Sequence, residues 1–179
     1  MNENIGRTGL LLLLIILFAC PESAAAEWDE SIRVCFDATD AESVKLPDGF
    51  PDSELDVLED TGGRYKAVVI DIDDDGSPEL FFPCACGNGG CDYPVYSDRR
   101  QDVIGRVFGS PVCVLRKTEH GMPLLQAYSR SGAGTGTIGR YAFDGKRYKE
   151  IFSAATGGKE DESVVRAIAK APFRRGGSR

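Results

Sequence analysis

Apolar and polar positions alternate along most of this chain in short runs. The first run is Ile32-Arg33-Val34-Cys35-Phe36, in which Ile32, Val34 and Phe36 share one predicted strand face and Cys35 points to the other. Further β-rich runs cover residues 64–72, 79–83, 91–96, 103–108, 111–116 and 124–128. His120-Gly121 predicts a turn before the last of these. Asp144-Gly145 predicts a hairpin between residues 140–143 and 147–152. Pro94 marks its run as an edge strand, because proline has no N–H to give to a ladder. Helical signals are few. Ser53 is a candidate N-cap for a short helix over residues 54–59, with Leu55 and Leu58 on one face and Thr61-Gly62-Gly63 ending it. A second short helix is predicted over residues 163–171, stopped by Pro172.

Turn signals recur about every 8 to 12 residues, the spacing of all-β folds. The predicted class is mainly β: a small antiparallel sheet, a sandwich or a partial-propeller-like meander with one or two short helices. There is no βαβ alternation and no internal repeat, and 179 residues are too few for a closed propeller of four-stranded blades.

The N-terminus changes this picture. Residues 2–9 are polar and carry Arg7, residues 10–19 are unbroken apolar, and Ala24-Ala25-Ala26 follows. This is the layout of a secretory signal peptide cleaved after Ala26, with an apolar run too short to span a bilayer. Leu17-Phe18-Ala19-Cys20 is similar to the lipobox of bacterial lipoproteins, so lipidation at Cys20 is the alternative, and the only route in this reading to a membrane partner. Residues 1–26 are thus read as signal peptide, 27–172 as one secreted β domain and 173–179 as a flexible basic tail.

Charge is unevenly spread. Residues 37–79 hold 14 acids and 3 bases, whereas residues 80–179 hold 9 acids and 16 bases. The two halves can attract each other, and the net acidic total argues against a nucleic-acid partner.

The acidic excess peaks in Asp71-Ile72-Asp73-Asp74-Asp75-Gly76-Ser77-Pro78-Glu79, between two strand-like runs. Hard cations such as Ca²⁺ take six to eight oxygens, and D-x-D-x-D-G supplies carboxylates at alternate positions with a glycine for the bend. The expected ligands are Asp71, Asp73, Asp75, the Ser77 carbonyl and Glu79, with calcium as the cofactor. Position 12 is Phe82 and both flanks read as strands, so the loop is not an EF-hand. Over residues 69–80 it resembles the calcium turns of FG-GAP repeats, the integrin-type propeller blades, with Glu79 in place of the family's final Asp and one copy instead of several. The wider chain resembles secreted bacterial proteins of unassigned activity that combine such a turn with a C-G-x-G-G-C loop, here residues 86–91, and an F-D-G-K-x-Y hairpin, here residues 143–148. That resemblance implies a fold and a compartment, and no activity.

Beyond Cys20 the cysteines are Cys35, Cys84, Cys86, Cys91 and Cys113. Export favours disulfides over metal thiolates. Cys86 and Cys91 bracket a flexible Gly-Asn-Gly-Gly loop and are the first expected pair. Cys84 is then expected to reach Cys35 or Cys113, leaving one thiol free.

No catalytic constellation is evident. His120 is the sole histidine and sits in a turn. No G-x-S-x-G elbow surrounds a serine, and the Gly-rich residues 131–136 lack the ending of a phosphate loop. The expectation is a non-enzymatic periplasmic or secreted binding protein. Its partner is a protein or an envelope glycan, met by residues 129–139 with Arg130, Ser131, Gly134 and Arg140 as candidate contacts. The alternatives are a hydrolase of envelope glycans using acidic residues, or an inhibitor of an envelope-directed hydrolase.

Overall fold

The computed structural model describes residues 32–157 except 59 and 133. The signal segment, the 163–171 helix and the basic tail lie outside the described residues.

The chain forms a sandwich of two antiparallel sheets. One contains β1 (Ile32–Phe36), β8 (Val112–Glu119), β9 (Met122–Gly132), β10 (Thr135–Phe143) and β11 (Tyr148–Gly157), in that spatial order. The other runs β2 (Glu42–Val44), β3 (Tyr65–Ile70), β4 (Glu79–Phe81), β6 (Gly90–Ser97) and β5 (Cys84–Gly87), with β7 (Asp102–Gly109) also on β6. Among the described residues the remaining regular elements are two 3-10 turns, Ala38–Asp40 and Asp52–Val57. No described helix is long and apolar enough to cross a membrane.

Strand alternation builds the core directly. Val68, Ile70, Phe81, Tyr93 and Val95 of one sheet meet Phe36, Val112, Val114, Leu125 and Phe143 of the other. Burial of such side chains stabilises by about 1.5–3 kcal/mol each. The alternate residues Ala67, Leu80 and Tyr96 face the other way. There they are covered by Phe50, Leu46, Leu55 and Leu58 from the long β2–β3 connection.

Several expectations hold. Glu119 pairs with Met122 across His120-Gly121, both at positive φ, which is the two-residue hairpin turn the sequence signalled. Residues 143 and 148 pair across a four-residue loop, where Asp144 Oδ1 accepts from the Lys146 and Arg147 N–H groups.

Three expectations are corrected. The segment after Pro51 is a 3-10 turn starting at Asp52, so Ser53 lies inside it and caps nothing; Leu55 and Leu58 still turn inward. Pro94 sits in a strand paired on both sides, not at an edge. Its missing N–H falls where β4 gives way to β5, and its carbonyl accepts from Phe82 N–H at 3.1 Å. Ile32 does not share a face with Val34 and Phe36. The register slips at Arg33, and Ile32 joins Leu115, Leu124 and Ala142 in a separate cluster.

The sheets approach most closely along β7. A Cβ on Gly105 would lie 2.7 Å from Tyr148 Cβ, and Gly105 has a φ of 149°. Gly105→Ala is therefore expected to cost about 1–3 kcal/mol by forcing the sheets apart. Urea unfolding of the two proteins measures this, and equal midpoints would contradict the close approach.

Candidate metal centre and contact surface

The acidic turn links β3 to β4 and is folded by its own carboxylates. Asp71 Oδ1 accepts from Asp75 N–H at 3.2 Å and Oδ2 from Gly76 N–H at 2.9 Å. Asp75 Oδ1 accepts from Ser77 N–H at 2.8 Å. Asp74 and Gly76 take positive φ, which bends the chain back on itself. Glu79 then starts β4. It alternates with Leu80 and so points to the same side as Phe81, into the sandwich, where it is 2% exposed. Its Oε2 accepts from Ile72 N–H at 3.2 Å, and the hydroxyl of Ser97, its cross-strand neighbour, also bonds to it.

Asp71, Asp73 and Glu79 each place one carboxylate oxygen within 4.8 Å of the others. Two oxygens on opposite sides of a calcium ion, each at 2.3–2.6 Å, are about that far apart. Asp73 Oδ1 is buried and has no hydrogen-bond partner. An all-oxygen set with an orphaned carboxylate oxygen suits a hard cation. Burial, with the Asp73 charge nearby, pushes the Glu79 carboxyl up to about 7 against the Ile72 hydrogen bond. Asp73 is raised as well, first by burial and then by the Asp75 charge.

The expected ligand set is only partly assembled. Asp75 stands outside the trio, because its Oδ2 pairs with Arg99 Nη1 at 2.7 Å; the Ser77 N–H and this arginine together hold its carboxyl below the usual range. Arg33 similarly pairs with Asp74 at 2.8 Å and donates its other Nη to the Asp71 carbonyl. Nothing in the turn motif points to either arginine, since Arg33 and Arg99 lie 41 and 24 residues from the aspartates they pair with.

The cysteines resolve into two bridges. Cys86–Cys91 closes the Gly-Asn-Gly-Gly loop as expected. The second bridge is Cys35–Cys113, between directly opposed residues of β1 and β8. Cys84 does not pair. It belongs to the other sheet, is 3% exposed, and its thiol donates to the Asp92 carbonyl at 3.2 Å; burial raises its pKa. Two disulfides are compatible with an oxidising, exported location.

At the Gly90 end of β6, away from the Ser97 end where the acidic turn sits, the disulfide loop touches the β9–β10 hairpin. Arg130 N–H donates to the Gly89 carbonyl at 3.2 Å. Gly89 is packed so closely that a Cβ there would lie 3.1 Å from the Arg130 carbonyl and 3.8 Å from the Phe108 ring. Phe108 is 47% exposed beside this contact. Arg130, Ser131 and Gly134 are exposed near the hairpin tip, as a contact surface needs. Arg140 is not with them. It lies four residues along β10 from Gly136, the partner of Arg130, where it is half-buried, bonds to Gln126 and stacks over Phe152 at 5.8 Å. Residues 129–139 are thus mostly the arms of two paired strands, with a short turn between them.

No family model, curated protein or solved structure matches the chain. Fold and site together define a disulfide-braced, two-sheet β domain with an acidic turn built over a buried glutamate.

That glutamate carries a pH signature. In metal-free buffer a carboxyl raised to about 7 contributes stability that is complete below its ordinary value of 4.5 and is lost as pH rises through about 7. Between about pH 5 and 8 the melting temperature of the native chain should fall relative to that of Glu79→Gln. Parallel pH profiles, measured in chelator, would contradict this.

Proposed function

We propose that this chain is a non-enzymatic exported binding protein, periplasmic or secreted, with a structural calcium ion in its acidic turn. Asp71, Asp73 and Glu79 would hold the ion, and a protein or envelope glycan would dock at the end formed by the Cys86–Cys91 loop and the β9–β10 hairpin tip. The observation that carries the calcium reading is the buried, unpartnered Asp73 Oδ1 beside two further carboxylates. Three acids gathered this closely repel one another unless a proton or cation offsets them. The docking reading is supported by Phe108 and Arg130, an exposed aromatic near the end of β7 and an exposed cation on the paired β9–β10 hairpin, both beside the disulfide-closed loop. Aromatic and arginine side chains are the usual anchors of interfaces, and a rigid base lowers the ordering cost of binding. An inhibitor of an envelope-directed hydrolase is one version of this reading, since it needs only such a rigid, exposed loop.

The rival reading is a hydrolase with Glu79 as general acid, favoured by its pKa near neutrality beside Asp73. Glu79 is sealed in the sandwich with an oxygen committed to Ile72, so the geometry supports a structural role better than contact with a substrate.

The deciding experiment is thermal unfolding of the oxidised mature protein in calcium and in chelator. Calcium is expected to raise the melting temperature by several degrees, through preferential binding to the native state. The shift should vanish in Asp73→Asn. An equal melting temperature in both buffers would remove the ion. Turnover of a glycan panel that is lost in Asp73→Asn with the fold intact would favour the hydrolase. At the other end, a Phe108→Ala/Arg130→Ala double variant should lose binding to any isolated partner at least tenfold, as measured by calorimetry. Undiminished binding would misplace the contact surface.

A further inference from the structure

A cavity of about 190 Å³ lies where the acidic turn meets β1 and the β8–β9 hairpin. Its polar wall is Arg33, Asp73, Asp74, Arg116 and Thr118. Both ladder irregularities of this region open onto it: β1 slips at Arg33, and the β8–β9 register slips between Val114 and Thr118, the stretch that carries Arg116. Such irregularities re-aim side chains that a regular ladder would send elsewhere.

The charges of the cavity differ in how they are committed. Arg33 is used, since it pairs with Asp74 and bonds the Asp71 carbonyl. Arg116 has no ion-pair or hydrogen-bond partner among the described residues, and neither has the Thr118 hydroxyl. Two arginines and two aspartates line the cavity, so it is formally balanced, and the exposed Arg116 is the guanidinium left without a partner from the described residues. A planar guanidinium takes a carboxylate in a forked pair. The aspartates accept from hydroxyl donors. Leu115 and Pro123 supply an apolar wall for C–H groups. Drug-sized ligands need roughly 300–1,000 Å³, so this cavity suits a single ring.

We propose that this cavity is a binding site for one uronate sugar, whose carboxylate pairs with Arg116 and whose hydroxyls donate to Asp73 and Asp74. A simple carboxylate lacks the hydroxyl donors, and a neutral hexose lacks the group for Arg116. Both are therefore weaker ligands. The site stands on the cavity and on Arg116, and it does not require calcium in the turn.

The test is an amide-resolved NMR titration of the oxidised chain in calcium-free buffer with chelator, using glucuronate, glucose and acetate as probes. Glucuronate is expected to shift the amides of residues 73–74 and 115–118 in a saturable, millimolar-range titration. Glucose and acetate should bind at least tenfold more weakly. Arg116→Gln should weaken glucuronate at least tenfold with the rest of its spectrum unchanged, which reports that it folds. Absent shifts, an equal response to acetate, or an unchanged affinity in Arg116→Gln would each overturn the proposal. Because chelator is present throughout, none of these outcomes bears on the calcium reading, which the melting experiment decides separately.

Discussion

The buried carboxylate of Glu79 is the constraint on which the acidic turn depends. Strand alternation sends it inward beside Phe81, at a place where an unpaired charge costs several kcal/mol. One oxygen is committed to Ile72 N–H, which fixes how β3 leaves and β4 returns. The turn must then pack Asp71 and Asp73 close to the same spot. A core position is thereby coupled to a surface loop: whatever neutralises Glu79, proton or cation, also sets the repulsion within the turn. Tyr148 of the facing sheet feels the same charge, since burial and then Glu79 both disfavour its ionised form. Its hydroxyl is retained as a donor to the Pro123 carbonyl.

The opposite end of the molecule solves a different problem with neutral groups. Glycines let backbones touch there: Gly90 lies against Gly109, and Gly109 lies against Tyr128. Ser110 N–H donates to the Tyr128 carbonyl at 2.7 Å, and a disulfide closes the adjacent loop. The split of charge along the chain is met within the fold. Arg99 and Arg106, from the basic half, pair with Asp75 and Glu54 in the acidic half, and Arg106 also reaches Asp92. These partly exposed pairs contribute little each. Their main consequence is placement, because Arg99 draws Asp75 away from the carboxylate trio.

Local chemistry was legible in the sequence, and long-range geometry was not. His120-Gly121 and Asp144-Gly145 declare their turns because few residues accept positive φ or bond their own backbone there. Cys86 and Cys91 declare their bridge because four flexible residues separate them. The second bridge needed the β1–β8 register, which no spacing of 78 residues encodes. The position of Pro94 depends on a neighbouring edge that breaks in two, and the flip of Ile32 depends on a one-residue slip at Arg33. In the turn, the D-x-D-x-D-G pattern identified the residues. Which of them converge depends on long-range partners: Arg99, from the β6–β7 turn, holds Asp75 outside the trio, and Glu79 is brought in by the β3–β4 pairing.

The coupling of Glu79 to the turn is tested by calorimetric titration of the metal-free oxidised chain with calcium, alongside Glu79→Gln. The native protein should bind one calcium ion per chain, with a heat that disappears when the buried carboxylate is neutralised. No binding heat, or the same isotherm in both proteins, would contradict that coupling and leave Glu79 as a buried acid held by its proton alone.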